Sequence, residues 1–123
     1  MKAYLITETE AKTVEIENNL DVYYNLLECR CFDIACRKVG DTYFDIFCDD
    51  EGLFKDNPLV TAVRMTESGS LEQMLVGNLL FTHTDSDGNT VGITDADVNT
   101  IEDNLFFMLH GNFHMTPVVM MEY

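Results

Sequence analysis

A polar loop in the second half of the chain contains residue types that bind calcium. Asp85, Asp87 and Gly88 follow the order found in EF-hand loops, which also require an acid at the first position and a bidentate glutamate at the twelfth. When Gly88 takes the glycine position, those two places fall on His83 and Thr94. Both ligands are therefore missing, and the composition instead favours a hairpin turn without calcium.

The histidines are the next candidates, as zinc ligands. His110 and His114 have the four-residue spacing that zinc sites use on a helix, and His83 is a third ligand if the fold brings it close. Gly111 and Asn112 lie between the first two and are typical of a helix end. Because this pair is not expected to share a helical face, we predict no metal site and no cofactor.

Catalytic motifs are missing from the sequence. Asp49, Asp50, Glu51 and Lys55 are residue types that metal-dependent nucleases use, but they fall in one predicted loop and not on adjoining strands. No GxSxG, Walker, GxGxxG or HExxH motif occurs, and no cysteine has a spacing to a histidine that indicates a nucleophile. We therefore predict that the protein is not an enzyme.

Acids along a predicted second helix form the remaining constellation. At 100° per residue, Asp95, Glu102 and Asp103 lie opposite the apolar stripe of that helix, with the acidic loop just before it. Solvated helix faces usually mix lysine with glutamate to form i,i+4 pairs, yet residues 65–123 contain nine acids and no lysine or arginine. The pattern favours a surface selected for negative potential over an ordinary solvated face.

The overall charge indicates the kind of partner. The chain has 22 acids against 7 bases, a net charge of -15, whereas a magnitude of about 2–8 keeps a small domain soluble. Such a protein is repelled by nucleic acid and by anionic membranes, so we expect it to bind a basic protein surface. The candidate partner-binding residues are Asp49, Asp50, Glu51, Asp85, Asp87, Asp95, Glu102 and Asp103.

Compartment is predicted from the cysteines and from the apolar segments. The four cysteines match no CxxC pair, and we expect reduced thiols. The N-terminus turns polar within seven residues, unlike a signal peptide, and no apolar run is long enough to span a membrane. These features predict a cytoplasmic protein that does not bind membranes.

The elements that position the acids are best defined in residues 73–109. This stretch reads as a strand over residues 78–84, the polar loop, a strand over 90–93 and a helix over 95–109. Thr94 is the predicted N-cap, and Asp97 three residues later completes a capping box.

Shorter patterns precede this unit. Residues 2–7 and 13–17 predict a hairpin, and Asn18 or Asn19 caps a helix over residues 19–28. Phe32–Val39 and residues 42–48 predict a second hairpin around a type II′ turn, with glycine at its first central position. Residues 59–65 fit either helical turns or a strand.

Together these elements predict an α+β fold. We expect a single domain over residues 1–123, with a mostly antiparallel sheet built from two hairpins and two to three packing helices. In the tail, residues 106–123, Phe106 and Phe107 project off the helical stripe, so either an added C-terminal strand covers them or they form a dimer contact. The predicted core residues are Leu5, Ile16, Leu27, Ile34, Ile46, Leu80, Val98, Ile101 and Leu105.

Three sequence motifs resemble a known family. They are an MKA-type first strand, DDEGLFKDNP after a central strand, and a GNLLF hairpin with DSDG that leads into a TDAD helix. In these the chain resembles DUF3846, a family of small acidic proteins from phages and mobile elements, over most of residues 1–105. The resemblance implies a mobile-element setting, supplies no catalytic residues, and does not extend to the longer tail.

The resemblance and the acidity together lead to a functional hypothesis. Phage genomes use small acidic inhibitors, so we expect an inhibitor or DNA mimic that occupies the basic groove of a host nucleic-acid-binding or defence protein, of the anti-CRISPR or anti-restriction type. The alternative is a housekeeping protein-binding module or homodimer whose acidity is incidental.

Overall fold

The computed structural model describes residues 1–51, 59–110 and 114–123. Within these ranges the chain forms two sheets and two short helices. The strands are β1 (Lys2–Ile6), β2 (Ala11–Glu15), β3 (Phe32–Val39), β4 (Thr42–Asp49), β5 (Val60–Met65), β6 (Leu71–Val76), β7 (Leu79–Thr84), β8 (Thr90–Val91), β9 (Leu105–His110) and β10 (His114–Met120). The helices are α1 (Leu20–Leu27) and α2 (Asp95–Asp103).

The larger sheet is antiparallel and has β7 at its centre. Its strand order is β2-β1-β7-β4-β3, and the short β8 also pairs with β7. Leu79, Leu80 and Phe81 of β7 are all fully buried. A strand reads as a continuous apolar run when both faces of its sheet are covered, and β7 is such a strand.

The two faces of the larger sheet carry two separate groups of core residues, because side chains alternate along each strand. On one face Leu5, Phe47 and Leu80 contact Tyr23 and Leu27 of α1. The opposite face packs against α2 and the smaller sheet, and its cluster includes Tyr4, Ile6, Phe44, Ile46, Phe81, Ile101, Ala62, Val119 and Met121. The larger sheet is therefore a middle layer.

The smaller sheet is mixed. Its order is β6-β5-β10-β9, with β5 and β10 parallel and the outer pairs antiparallel. The parallel register joins Ala62 to Val119 and Val63 to Met120. The C-terminal strand thus lies inside this sheet, where Val118 and Val119 are buried.

The predicted fold class is wrong, because the described residues are mostly strand. α1 has 8 residues and α2 has 9, and there are two sheets where one was expected. The main error lies in the helix over residues 95–109, which ends at Asp103 and is followed by β9. Leu105 to Leu109 are all apolar, so they offer no polar helix face, and they pair with β10 instead.

A bend at Gly77 accounts for a strand that the sequence did not predict. One strand was expected before the polar loop, but β6 and β7 are two strands that belong to different sheets. Gly77 has φ +74°, a conformation that favours glycine, and its N–H donates to Leu59 O at 2.9 Å. The side chain of Asn78 then donates to Leu26 O at 3.0 Å, which ties the bend to α1.

Several local predictions are confirmed. β3 and β4 form the expected hairpin, and Gly40 has φ +59°, as the first central residue of a type II′ turn requires. The Asn19 side chain caps α1, accepting from Val22 N–H at 3.0 Å. Residues 59–65, left open by the sequence, contain strand β5. The predicted C-terminal strand exists, but it pairs beside Phe106 and Phe107 in β9 and leaves Phe107 exposed.

The predicted core is largely correct. Leu5, Leu27, Ile46, Leu80 and Ile101 are buried. Ile16, Val98 and Leu105 are half-buried at the edges of the two clusters. Ile34 is the exception, with 47% of its surface exposed. It lies on β3, an edge strand of the larger sheet, where Tyr23 and Tyr24 of α1 pack against Phe32, two residues earlier.

Replacing Ile101 by alanine should lower the free energy of unfolding by about 2–5 kcal/mol, because the side chain is fully buried and its removal leaves a cavity. Leu20→Ala is the matched helical control: Leu20 is 60% exposed, and its loss should cost less than about 0.5 kcal/mol. Urea unfolding of the two variants measures both values. Equal losses would mean that Ile101 is not part of the core.

Candidate functional site

The eight predicted partner-binding acids lie in three places. Asp49, Asp50 and Glu51 end strand β4 and follow it. Asp85 and Asp87 lie in the loop between β7 and β8, and Asp95, Glu102 and Asp103 lie on α2. The loop and the helix are close in the fold because β8 connects them and a side chain of β7 contacts α2.

The first group does not form a continuous acidic surface. Asp49 is buried, and its Oδ1 accepts from the Glu51 N–H at 2.9 Å. Glu51 is paired with Arg30 at 2.9 Å. Asp50 is exposed, while its N–H donates to Cys31 O at 3.1 Å. Hydrogen bonds and an ion pair therefore hold this strand end in place, and Asp50 is the exposed one of its three acids.

Asp85 organises the loop between β7 and β8. Its Oδ1 accepts from the N–H groups of Asp87 and Asn89, both at 2.9 Å. These hydrogen bonds, that from Asn89 above all, lower the pKa of Asp85 below its usual value. The loop is the predicted turn, with Gly88 at φ +83°, and it holds exposed carboxylates in a defined backbone.

The start of α2 is fixed by reciprocal hydrogen bonds. The Thr94 hydroxyl accepts from the Asp97 N–H at 3.1 Å, and the Asp97 carboxylate accepts from the Thr94 N–H at 2.8 Å. This is the capping box that the sequence predicts. The two acids in the first turn also interact favourably with the positive end of the helix dipole.

His83 connects this cap to the larger sheet. Its Nε2 lies 2.9 Å from Asp97 Oδ2, and its ring stacks on Phe44 with centroids 5.0 Å apart. Burial opposes ionisation of Asp97, but hydrogen bonds from Thr94 and His83 outweigh it and lower the pKa of Asp97. Sequence reasoning missed this pair, because no local pattern joins residues on a strand and on the following helix.

The outward face of α2 presents Asp95, Glu102 and Asp103, all exposed. Glu102 accepts from the Tyr4 hydroxyl at 3.2 Å, and burial followed by this carboxylate raises the pKa of Tyr4. Lys2 from β1 pairs with Asp95. One counter-ion thus reaches the helix from the first half of the chain, which the distribution of bases along the sequence does not indicate.

Other described bases make their ion pairs away from α2. Arg30 pairs with Glu51, Lys12 with Glu10 and Arg64 with Glu72. Arg37 lies over the ring of Tyr123, 5.1 Å from its centroid. The loop at Asp85 and the face of α2, which we call the acidic surface, therefore keep a strong negative potential.

Metal and thiol chemistry have little support among the described residues. No group of three or more histidine, cysteine, aspartate or glutamate side chains converges there as metal ligands. His83 is engaged by Asp97, His114 Nε2 lies 3.2 Å from Glu8 O, and the side chain of His110 lies outside the described residues. None of the four cysteines forms a disulfide in the structure, and burial raises the pKa of Cys48 to about 11.

A comparison with protein families decides the classification of the chain. The model of the domain of unknown function DUF3846 matches residues 1–106. The chain belongs to the DUF3846 family. The match confirms the resemblance seen in the sequence motifs, and it covers both helices and the strands up to the first part of β9.

The rest of this DUF3846 chain, residues 107–123, lies beyond the family match and supplies most of the β9–β10 hairpin. No curated protein and no solved structure matches the chain. In the part that the structure describes, neither helix is long and apolar enough to cross a membrane. The family assignment carries no activity, so function has to be argued from the surface.

Lowering the pH should reduce the stability of the native state, because it protonates Asp97. A carboxylate whose pKa is lowered by folding stabilises the native state above its unfolded pKa of about 4, and this contribution is lost as the pH falls through the folded value. Asp97→Asn should therefore be less stable than the wild type at neutral pH, and the difference should shrink below about pH 4. Thermal unfolding across this range measures it.

Asp103→Asn is the control for the acid experiment, because it removes an exposed carboxylate from the same helix outside the cap. It should not reduce stability at neutral pH. A constant difference between Asp97→Asn and the wild type at every pH would contradict the role of the ionised carboxylate.

The purified protein should contain no stoichiometric zinc, and EDTA should leave its melting temperature unchanged, because the described histidines have other contacts. Elemental analysis and a thermal scan check both statements. One zinc per chain would contradict this prediction and would make His83, His110 and His114 candidate ligands again.

Proposed function

We propose that this DUF3846 protein acts by binding and not by catalysis. In this proposal the acidic surface takes the place of nucleic-acid phosphates in the basic groove of a host nucleic-acid-binding or defence protein, as an inhibitor of the anti-CRISPR or anti-restriction type. It acts in the cytoplasm of the host of a phage or mobile element. The supporting observation is the set of exposed carboxylates on α2 and its preceding loop.

The fixed positions of the carboxylates on α2 support mimicry of nucleic-acid phosphates over a non-specific effect of the negative charge. α2 is held at its start by the capping box and by His83, so its carboxylates have defined positions. Asp95 and Glu102 are two turns apart on the helix, or about 10 Å along its axis at 1.5 Å per residue. Three phosphate steps along one DNA strand, at 3.4 Å each, cover about the same axial distance.

The small number of basic side chains in contact with the acidic surface, among the described residues, supports the same function. A basic partner has to displace few existing ion pairs from this surface, since Lys2 is the described base that contacts it. Exposed ion pairs are weak, so Lys2 is readily released from Asp95. Charges arranged in this way mainly accelerate association with a partner of opposite sign.

The second candidate is a protein-binding module or homodimer with incidental acidity. It is favoured by the apolar exposure of β9, where Phe107 is 52% and Leu109 is 68% exposed. Apolar groups exposed side by side usually mark a protein contact. The two candidates differ in the salt dependence of binding, because only the first depends on exposed charges.

Capture from a host lysate, followed by competition, tests the proposal. Immobilised protein should retain basic nucleic-acid-binding proteins, and the retained protein should lose its DNA or RNA when the purified DUF3846 protein is added. Binding should weaken steeply with salt, because exposed charges are screened within about 8 Å at physiological ionic strength.

Changing Glu102 and Asp103 together to lysine should slow association with the captured protein by about tenfold or more, because it reverses two charges on the acidic surface. The matched control reverses Glu15 and Glu17, which are also exposed but lie on and after β2. An equal loss of association rate in both double variants would indicate that binding depends on the net charge of the protein and not on the arrangement of carboxylates on the acidic surface. No loss from either would favour the second candidate.

A further inference from the structure

β9 is the outermost strand on one side of the smaller sheet. It pairs with β10 over six residues without a register shift, and its other side has no neighbour among the described strands. Natural edge strands usually carry charges, proline or a bulge that prevents further pairing. The edge strands β2, β3 and β6 carry charged residues, whereas β9 has the sequence LFFMLH with no acid, lysine or arginine.

The hydrogen-bond pattern shows which backbone groups face outward. Met120 N–H donates to Asn104 O at 2.9 Å, so these two residues form a hydrogen-bonded pair. Bonded and non-bonded pairs alternate in an antiparallel ladder, so the N–H and C=O groups of Leu105, Phe107 and Leu109 point to the free edge. Pro117 lies opposite Phe107, in a non-bonded pair that needs no proline N–H.

The side chains along this edge are apolar and half-exposed on both faces. Phe107, Met108 and Leu109 expose between 45% and 68% of their surface, and Met115 beside Leu109 exposes 47%. The edge therefore combines free backbone donors and acceptors with apolar surface, which is the combination used when an extended peptide adds a strand to a sheet.

We propose that β9 binds an extended segment of the basic partner by strand addition. The segment has β-branched or apolar residues at its centre and lysine or arginine at the end beside Glu102 and Asp103, the acids that precede β9. This inference rests on the proposed function and specifies its partner. A second copy of the chain fits less well, because it would bring a net charge of -15 against -15.

The test uses a labelled synthetic peptide with two lysines followed by alternating valine and threonine, and measures its binding by fluorescence anisotropy. Leu109→Pro removes an outward N–H without removing a bond to β10, and should weaken binding by about tenfold or more. Leu109→Val keeps the N–H and an apolar side chain, and should bind within about twofold of the wild type. Thermal unfolding checks that both variants are folded.

The outcomes separate this inference from the proposed function. Equal binding by Leu109→Pro and the wild type, or no binding by the wild type, overturns strand addition. A dimer in sedimentation that becomes monomeric in Leu109→Pro also overturns it, in favour of a second copy. If the reversal of Glu102 and Asp103 leaves binding unchanged while Leu109→Pro abolishes it, strand addition at β9 stands, but the placement of basic residues beside these two acids and the phosphate mimicry are both overturned.

Discussion

Burial of β7 on both faces is the constraint on which the rest of the structure depends. Leu79, Leu80 and Phe81 are fully buried, and their neighbours along the sheet are β1 and β4. Successive side chains of a strand point to opposite faces of the sheet, so the apolar residues of β7 must be buried on both faces. α1 covers one face, and α2 together with the smaller sheet covers the other. The bend at Gly77 lets consecutive strands serve both sheets.

Much of the local structure could be predicted because its causes lie within a few residues. The caps at Asn19 and Thr94 and the turn at Gly40 need only a side chain or a positive φ at one place. The strand at residues 105–110 could not be separated from a helix, since its apolar run has no periodicity and its partner β10 follows later. The parallel pairing of β5 with β10 has no local signal at all.

The candidate site was predictable in type and less so in detail. Charge counting and helical phase place Asp95, Glu102 and Asp103 on one exposed face, as the structure does. Burial of Asp49 and the pairing of Lys2 with Asp95 depend on contacts between distant segments. Sequence reveals an excess of acids, whereas tertiary structure decides which of them reach solvent.

The parallel pairing of β5 with β10 has a consequence for how the chain is made. Nearly half of the chain separates Ala62 from Val119, so β5 and β6 emerge from the ribosome long before β10 can join them. Contacts between such distant residues form slowly, because a long loop must close first. The smaller sheet can therefore be completed only after β10 has been made, by residues beyond the family match, and the nascent protein holds an open β5 edge until then.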